Sequence, residues 1–184
     1  MYRYEEPDKI WIQKASRGDV KAFAHLYSMI YQDLYRFALY MMRHPQDAED
    51  MVSEAVIAAY RNIKKLRKEE AFRSWMFQIL SNCCKRRLRA LQREAEFSGQ
   101  TWEEAGNQIS ASEIDYAENQ DVQDAFLKLS EEERSIVGLS VFGGYNSNEI
   151  GTILSLNPTT VRSKRSRALQ KMKGRLGKEC LHES

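Results

Sequence analysis

Apolar residues recur at helical spacing along most of the chain. Ala22, Phe23, Leu26, Tyr27, Ile30, Leu34, Phe37, Ala38 and Met41 form one stripe, and Asp19 ahead of it is a residue type that caps helix N-termini. Pro45 interrupts this helix and Asp47 opens the next, with Asp47, Glu49 and Asp50 in a first turn where the helix dipole favours negative charge. Ala48, Met51, Val52, Ala55, Ala59 and Ile63 then point inward, which leaves Asp50, Ser53, Glu54 and Ile57 on a different face. A third helix runs from about Ala71 through Phe72, Trp75, Met76, Ile79 and Cys83 into the basic stretch Lys85, Arg86, Arg87, Arg89. Trp11, Phe72 and Trp75 read as core.

From Glu94 to Asp121 the periodicity is lost among acids, Ser, Asn, Gln, Gly99 and Gly106, a composition that reads as a linker; Trp102 is its candidate anchor. Beyond it, Ser130 and Glu133 have the spacing of a capping box, Ile136, Val137 and Val141 follow, and Gly143-Gly144 stops the helix. Asn146 and Glu149 start a short helix carrying Ile150, Ile153 and Leu154. A turn at Ser155-Leu156-Asn157 follows, and Pro158 suits the first position of a last helix that buries Val161, Ala168, Leu169, Met172 and Leu176. The expected fold is all-α: an N-terminal helical domain over 1–93, a flexible acidic linker over 94–121, and a C-terminal domain over 122–184.

The net charge of +2 conceals a strong segregation. Arg61 to Arg93 holds eleven Lys/Arg against two acids, Glu94 to Asp121 holds eight acids and no base, and Thr160 to Lys178 holds eight Lys/Arg and no acid. Dense basic patches suit polyanions, because each cation placed on a phosphate releases condensed counterions; a solvated helix face is the alternative from charge alone. The acidic segment would fold over the basic surfaces by Coulomb attraction.

No apolar run reaches the roughly 18 residues of a membrane span and the first residues are polar, so a cytoplasmic chain is expected. Cys83, Cys84 and Cys180 lack metal spacing and fit reduced thiols, His25 and His44 have no companions, and Cys180 with His182 makes at most half a metal site. With no Gly-rich phosphate loop, nucleophile and base pair or carboxylate dyad, neither an enzyme, a cofactor nor a small-molecule substrate is expected.

The last two helices carry a sharper signal. At about 100° per residue, Thr159, Arg162, Ser163, Ser166, Arg167 and Gln170 lie opposite Val161, Ala168 and Met172. A short helix, a three-residue turn and a second helix with a polar, basic outer face form a helix-turn-helix, whose second helix enters the major groove. Arg there discriminates guanine by about 1–3 kcal/mol, while Lys164, Lys171 and Lys173 further round suit phosphates.

Three segments resemble the extracytoplasmic-function (group IV) sigma factors. Asp47-Ala48-Glu49-Asp50-Met51-Val52-Ser53-Glu54 is similar to the family's D-A-E-D-L-V-Q-E, and Phe72-Arg73-Ser74-Trp75-Met76 through Asn82 to F-R-x-W-L. The third runs from Ser147-Asn148-Glu149-Ile150-Gly151 through Thr160-Val161-Arg162-Ser163-Lys164 to Arg167-Ala168. The resemblance covers nearly the whole chain and implies two domains that bind core RNA polymerase and promoter DNA, double-stranded and melted.

It places docking to the clamp helices of the largest polymerase subunit on Asp47, Asp50, Ser53, Glu54 and Ile57, with the flap as a second polymerase contact. It places the minus-ten element, with a flipped base, on Lys64, Lys65, Arg67, Asn82, Lys85, Arg86 and Arg87. Thr159, Thr160, Arg162, Ser163, Lys164, Ser166, Arg167 and Gln170 fall to the minus-thirty-five element. An anti-sigma partner, commonly membrane-bound, and a role in stress or envelope responses are implied as well. The chain departs from the pattern at Arg165 (usually aliphatic), at Ser53 (usually Gln) and at Cys83-Cys84 (no acid after Asn82). The alternative is a stand-alone helix-turn-helix repressor or activator whose N-terminal domain binds a ligand or a second copy.

Overall fold

The computed structural model describes residues 9–66, 71–98, 122, 125–126 and 128–179. Arg67, Trp102, Cys180 and the linker residues 99–121 lie outside them. The described residues contain helices and no strand. Helix α1 spans Lys9–Ser16, α2 Val20–Ser28, α3 Tyr31–Met42, α4 Pro45–Asn62, a 3-10 turn Ile63–Lys65, α5 Phe72–Ser98, α6 Glu131–Val141, α7 Ser147–Leu154 and α8 Pro158–Glu179.

Local chemistry sets most of the ends. Asp19 caps α2 by accepting the Ala22 N–H at 3.1 Å. The stripe expected to make one helix is two, because the backbone leaves helical geometry at Ile30 (φ −121°, ψ −2°). No Gly or Pro marks the break; α2 packs on α1 while α3 packs on α4 and α5, and the corner lets each apolar face reach its own neighbours. α3 stops at Arg43, which is left-handed at φ 65°.

The start of α4 differs from the sequence expectation. His44, not Asp47, is the cap: its Nδ1 accepts the Asp47 N–H at 3.4 Å, and Pro45 occupies the first turn, where its missing N–H removes no helical bond. The capping boxes at Ser130/Glu133 and Asn146/Glu149 are both present. The helix α5 runs on through Ser98, so the first residues of the acidic stretch are helical.

In the N-terminal unit, α3, α4 and α5 enclose Leu34, Phe37, Met41, Phe72, Met76, Phe77 and Leu80, all essentially inaccessible. Ala48, Met51, Val52, Ala55, Ala59 and Ile63 are buried as the spacing predicts. Leu169, expected in the core, is 45% exposed, and Val141, which follows Ile136 and Val137 in α6, is 64% exposed. At 100° per residue Leu169 lies about 80° from Val161, and Val141 about 140° from Ile136, so each leaves the buried arc. Trp11 and Trp75 are half-buried, Trp11 with its ring 4.4 Å from His25.

The two units also pack on each other. α6 contacts α3 and α5, and α7 contacts α5, so that Ile136, Leu139, Ile150, Ile153 and Val161 join one continuous apolar cluster with the N-terminal helices. Gly138 lets α6 approach closely, since a Cβ there would stand 3.0 Å from the Phe37 ring.

Candidate nucleic-acid interfaces and the seam between them

The helix-turn-helix is built around one left-handed turn residue and one close approach. Ser155 turns the chain in the left-handed region (φ 57°), and a Cβ on Gly151 would stand 2.7 Å from the Leu156 carbonyl oxygen, so only glycine fits there. Asn157 accepts the Thr159 N–H at 2.9 Å and starts α8 beside Pro158. Val161 and Ala168 are fully buried, which turns Thr159, Arg162, Ser163, Ser166, Arg167 and Gln170 outward; all six are exposed.

The outermost cations bond only within their own helix: Arg162 donates to Thr159 Oγ1 at 3.3 Å and Arg167 Nε to the Ser163 carbonyl at 3.3 Å. Those on the flank are held by α6. Lys164 pairs with Glu132, and Lys171 donates to both Glu133 oxygens at 2.6 and 2.9 Å. Thr160, Lys164 and Arg165 are half-buried.

A second basic surface lies on α5. Asn82, Lys85, Arg86, Arg89 and Arg93 line an open groove of about 440 Å³. Relative to Asn82 at 0°, the other four fall between about −60° and +40°, whereas Arg87 falls near 140°. The structure accordingly sets Arg87 on α4, donating from Nε and Nη2 to Asp47 at 3.2 and 3.1 Å. Arg87 is thus not gathered with Asn82, Lys85 and Arg86. Lys64 and Lys65 are exposed on the 3-10 turn.

Arg89 and Arg93 were not among the sequence candidates, although they continue the four-residue spacing from Lys85. The candidates were carried from the family resemblance, which stopped at Arg87, although the basic face runs on to Arg93. Burial pushes the Lys85 ammonium down from its ordinary value, and the nearby Glu131 and Glu132 carboxylates oppose this.

On α4, Asp50, Ser53, Glu54 and Ile57 form an exposed patch with Ile57 at 51%; Asp47 stands at its half-buried edge. Glu54 pairs with Arg86, so the candidate polymerase face and the basic groove share a border. Cys84 is fully buried and Cys83 nearly so; burial pushes both thiols up, and both are free. Among the described residues no His, Cys, Asp and Glu cluster could hold a metal ion, and no helix is long and apolar enough to cross a membrane.

Arg73 is the hub of the seam. From α5 its Nη1 donates to the Gly143 carbonyl at 2.5 Å, and its Nη2 to Asp33 Oδ2 at 3.2 Å and to the Phe142 carbonyl at 3.5 Å. Its guanidinium also lies over the rings of Phe77 and Tyr145, 5.1 and 5.2 Å from their centroids. Burial pushes the Tyr145 hydroxyl up to about 12, against the lowering effect of Arg73. Arg89 reaches Glu131 at 3.3 Å across the same seam. Arg134 of α6 is only 7% exposed, with Nε and Nη1 making no hydrogen bond, and burial pushes its guanidinium down.

A helix-turn-helix with an uncovered outer arc, joined to a helical unit that bears its own basic groove, defines a two-part DNA-binding transcription factor. The sigma-70 region 2 family matches residues 26–94, and the sigma-70 region 4 family matches 119–172. The sigma-E factor of Escherichia coli K12, an extracytoplasmic-function RNA polymerase sigma factor, is 32% identical over 174 residues, 88% of this chain and 90% of its own. The sigma factor SigM of Mycobacterium tuberculosis is 27% identical over 175 residues, 95% of this chain and 87% of its own.

Two solved structures share the fold. CnrH, solved with the cytosolic domain of CnrY, has a TM-score of 0.71 at 21% identity, covering 93% of this chain and 97% of CnrH. The sigma factor RpoE of Bartonella quintana, solved with the anti-sigma factor NepR, has 0.72 at 22%, covering 86% of this chain and 98% of RpoE. This chain belongs to the extracytoplasmic-function branch of the sigma-70 family. It is an RNA polymerase sigma factor: it binds core polymerase and promoter DNA and directs transcription initiation.

Proposed function

We propose that the chain docks on the clamp helices of core polymerase through Asp50, Ser53, Glu54 and Ile57 of α4, with Asp47 at the edge. The α5 groove, with Lys64, Lys65 and Arg67, takes the melted minus-ten strand, and the outer arc of α8 reads the minus-thirty-five duplex. The observation that carries this division of labour is the uncovered arc Thr159, Arg162, Ser163, Ser166, Arg167, Gln170, set behind a turn that packs its Leu156 carbonyl against Gly151 of α7. Arg162 and Arg167 are free to turn to base edges, while Lys164 and Lys171, tied to α6, hold the reading helix to its scaffold.

Extracting a base from the stack costs a few kcal/mol, which cations on the phosphates of the displaced strand offset. The protein supplies binding energy only; it is not an enzyme, and it acts in the cytoplasm. An anti-sigma protein that covers these surfaces holds it inactive until an envelope or other stress releases it, as the family resemblance implies.

Geometry requires the two units to part. A compact chain of this length has a radius of gyration of about 16 Å, hence a diameter near 40 Å. Promoter elements about 25 base pairs apart lie about 85 Å apart at roughly 3.4 Å per pair. The packed form therefore cannot touch both, and the seam opens before or during promoter binding.

Run-off transcription from a genomic fragment library with purified core polymerase tests the reading. Discrete new start sites that depend on the chain support it; absence of both polymerase binding at low salt and chain-dependent transcripts would remove it.

A further inference from the structure

The groove on α5 extends past the residues assigned to the minus-ten element. From Asn82 to Arg93 it runs eleven residues along one helix face, about 16 Å at 1.5 Å per residue. All four of its charged lining residues are cations. One turn short of its far end Arg89 meets a carboxylate from the other unit, Glu131 in the first turn of α6, with Nη2 to Oε1 at 3.3 Å. Glu131 and Glu132 also act electrostatically on Lys85, one turn back along the same groove. An acidic helix start from the C-terminal unit thus sits over the far part of a cationic track on the N-terminal unit, against the very cation that an incoming phosphate would meet.

We propose that this track binds nucleic-acid backbone phosphates as far as Arg89 and Arg93, and that Glu131 of the packed C-terminal unit occupies the Arg89 position in place of a phosphate. Phosphate binding at Arg89 and the Glu131 contact between the two units therefore compete, and each phosphate bound there removes one tie across the seam. The chemistry on both sides is the same: the N–H of Arg89 Nη2 takes either a carboxylate or a phosphate oxygen, and two anions crowded on one guanidinium repel each other. A strand that enters at Asn82 and follows the helix displaces Glu131, so engagement of melted DNA and opening of the seam favour each other. Acidic residues screen this basic surface from several elements: Glu54 of α4 pairs with Arg86, Glu131 of α6 with Arg89, and Glu94, the first residue of the acidic stretch, lies 3.8 Å from Arg87.

The proposal rests on the reading of α5 as a nucleic-acid surface. The test uses the full chain and a partly single-stranded fork DNA, with affinity measured from about 50 to 200 mM salt. Arg89→Ala and Arg93→Ala each lower the salt slope by about 0.7 to 0.9, the signature of one lost phosphate contact. Glu131→Gln raises the affinity of the free chain about two- to five-fold at the low end of that range, a modest gain because the pair is partly exposed. With the chain already on core polymerase, where the units have separated, Glu131→Gln changes nothing.

A charge swap, Arg89→Glu with Glu131→Arg, keeps the units packed, as read by the distance between a label on each, yet it fails to recover fork binding. Unchanged salt slopes in both arginine variants overturn the track. An equal gain from Glu131→Gln in free and polymerase-bound chains is a plain charge effect and overturns the competition, as does no gain at all. Wild-type run-off transcription, measured alongside, stays positive in each of these failures; its loss would instead sink the sigma reading on which the proposal stands.

Discussion

The two DNA-facing helices solve the same problem in opposite ways. On α8 the fully buried side chains Val161 and Ala168 define a narrow arc, and the opposite side is open to solvent. On α5 the buried residues Phe72, Met76, Cys83, Leu80, Cys84, Phe77 and Leu88 cover an arc of about 160°, and the basic groove occupies what is left. The outward cations of α8 bond within their own helix. On α5, Arg86 is paired to Glu54, Arg87 to Asp47 and Arg89 to Glu131, and Arg93 bonds within the helix. The outer arc of α8, where Arg162 and Arg167 bond locally and only the flanking Lys164 and Lys171 reach α6, is ready for DNA as it stands, whereas the α5 groove must first give up the pairs of Arg86 and Arg89. Duplex reading by α8 is therefore available before the seam opens, and the α5 groove is fully available only after.

The largest expected effect comes from removing the hub of that coupling. Arg73→Ala leaves Asp33, only 13% exposed, as a buried carboxylate without its cation and removes both carbonyl contacts to α6 and its following loop. It should cost about 3–5 kcal/mol in urea unfolding and split the transition so that the C-terminal unit melts first. A single transition at the wild-type midpoint would mean that the seam contributes nothing to stability.

Gly151→Val breaks the other side of the comparison. Its side chain must displace the Leu156 carbonyl, which should destabilise the α7–α8 turn by about 1–3 kcal/mol and abolish minus-thirty-five duplex binding, while α5 retains fork binding. Loss of both activities together would show that the units do not act separately.

Arg162→Ala sharpens the contrast at a single side chain. Because Arg162 is exposed and its bond to Thr159 is local, stability should change by less than about 0.5 kcal/mol. Discrimination between promoter and random duplex should nevertheless fall by about 1–3 kcal/mol in competition binding. An equal loss on both DNAs would make it a phosphate contact instead.

The smallest effect is on pH. Burial by itself would raise the Glu133 carboxyl, but the Lys171 ammonium and the Ser130 cap outweigh it, so the group sits below its ordinary value. Its contribution is complete above the unfolded glutamate pKa of about 4.3 and disappears as pH falls through the lower folded value. Glu133→Gln should lower thermal stability modestly at neutral pH and flatten the acid limb, so that the two stability curves converge at low pH; an unchanged acid limb would discount the Lys171 pair.

How far these features were legible in the sequence follows from the same contrast. α8 is one-sided, so its arc could be drawn from periodicity; among the described side chains Leu169, at the margin, was misplaced, and Leu176 lies outside them. α4 gave up its exposed patch for the same reason. α5 was half legible: Phe72, Met76 and Cys83 follow one stripe, but Phe77, Leu80, Cys84 and Leu88 blur it. Their burial reflects packing on several sides, including contact with a second unit far along the chain; the Phe77 ring, for one, lies 5.5 Å from that of Tyr145.

Arg87 was grouped with Arg86 because neighbours in sequence look alike in a basic run, although 100° of rotation sends them to different partners. Arg73 stood in the family motif and was quoted there, but nothing local announced that its acceptors would be Gly143 and Phe142, some seventy residues away. Long-range pairing of this kind is a property of the packed chain.

One distance measurement bears most directly on the idea of two DNA-binding units that pack together when free and part on a promoter. Labels on Val20 and Asn148, both exposed and one in each unit, report the separation by pulsed electron resonance or energy transfer. The free chain should give one narrow, short distribution, lengthened by about 40 Å in the complex with core polymerase and promoter DNA. A separation that is long and broad in the free chain, or one that stays short in the complex, would contradict it.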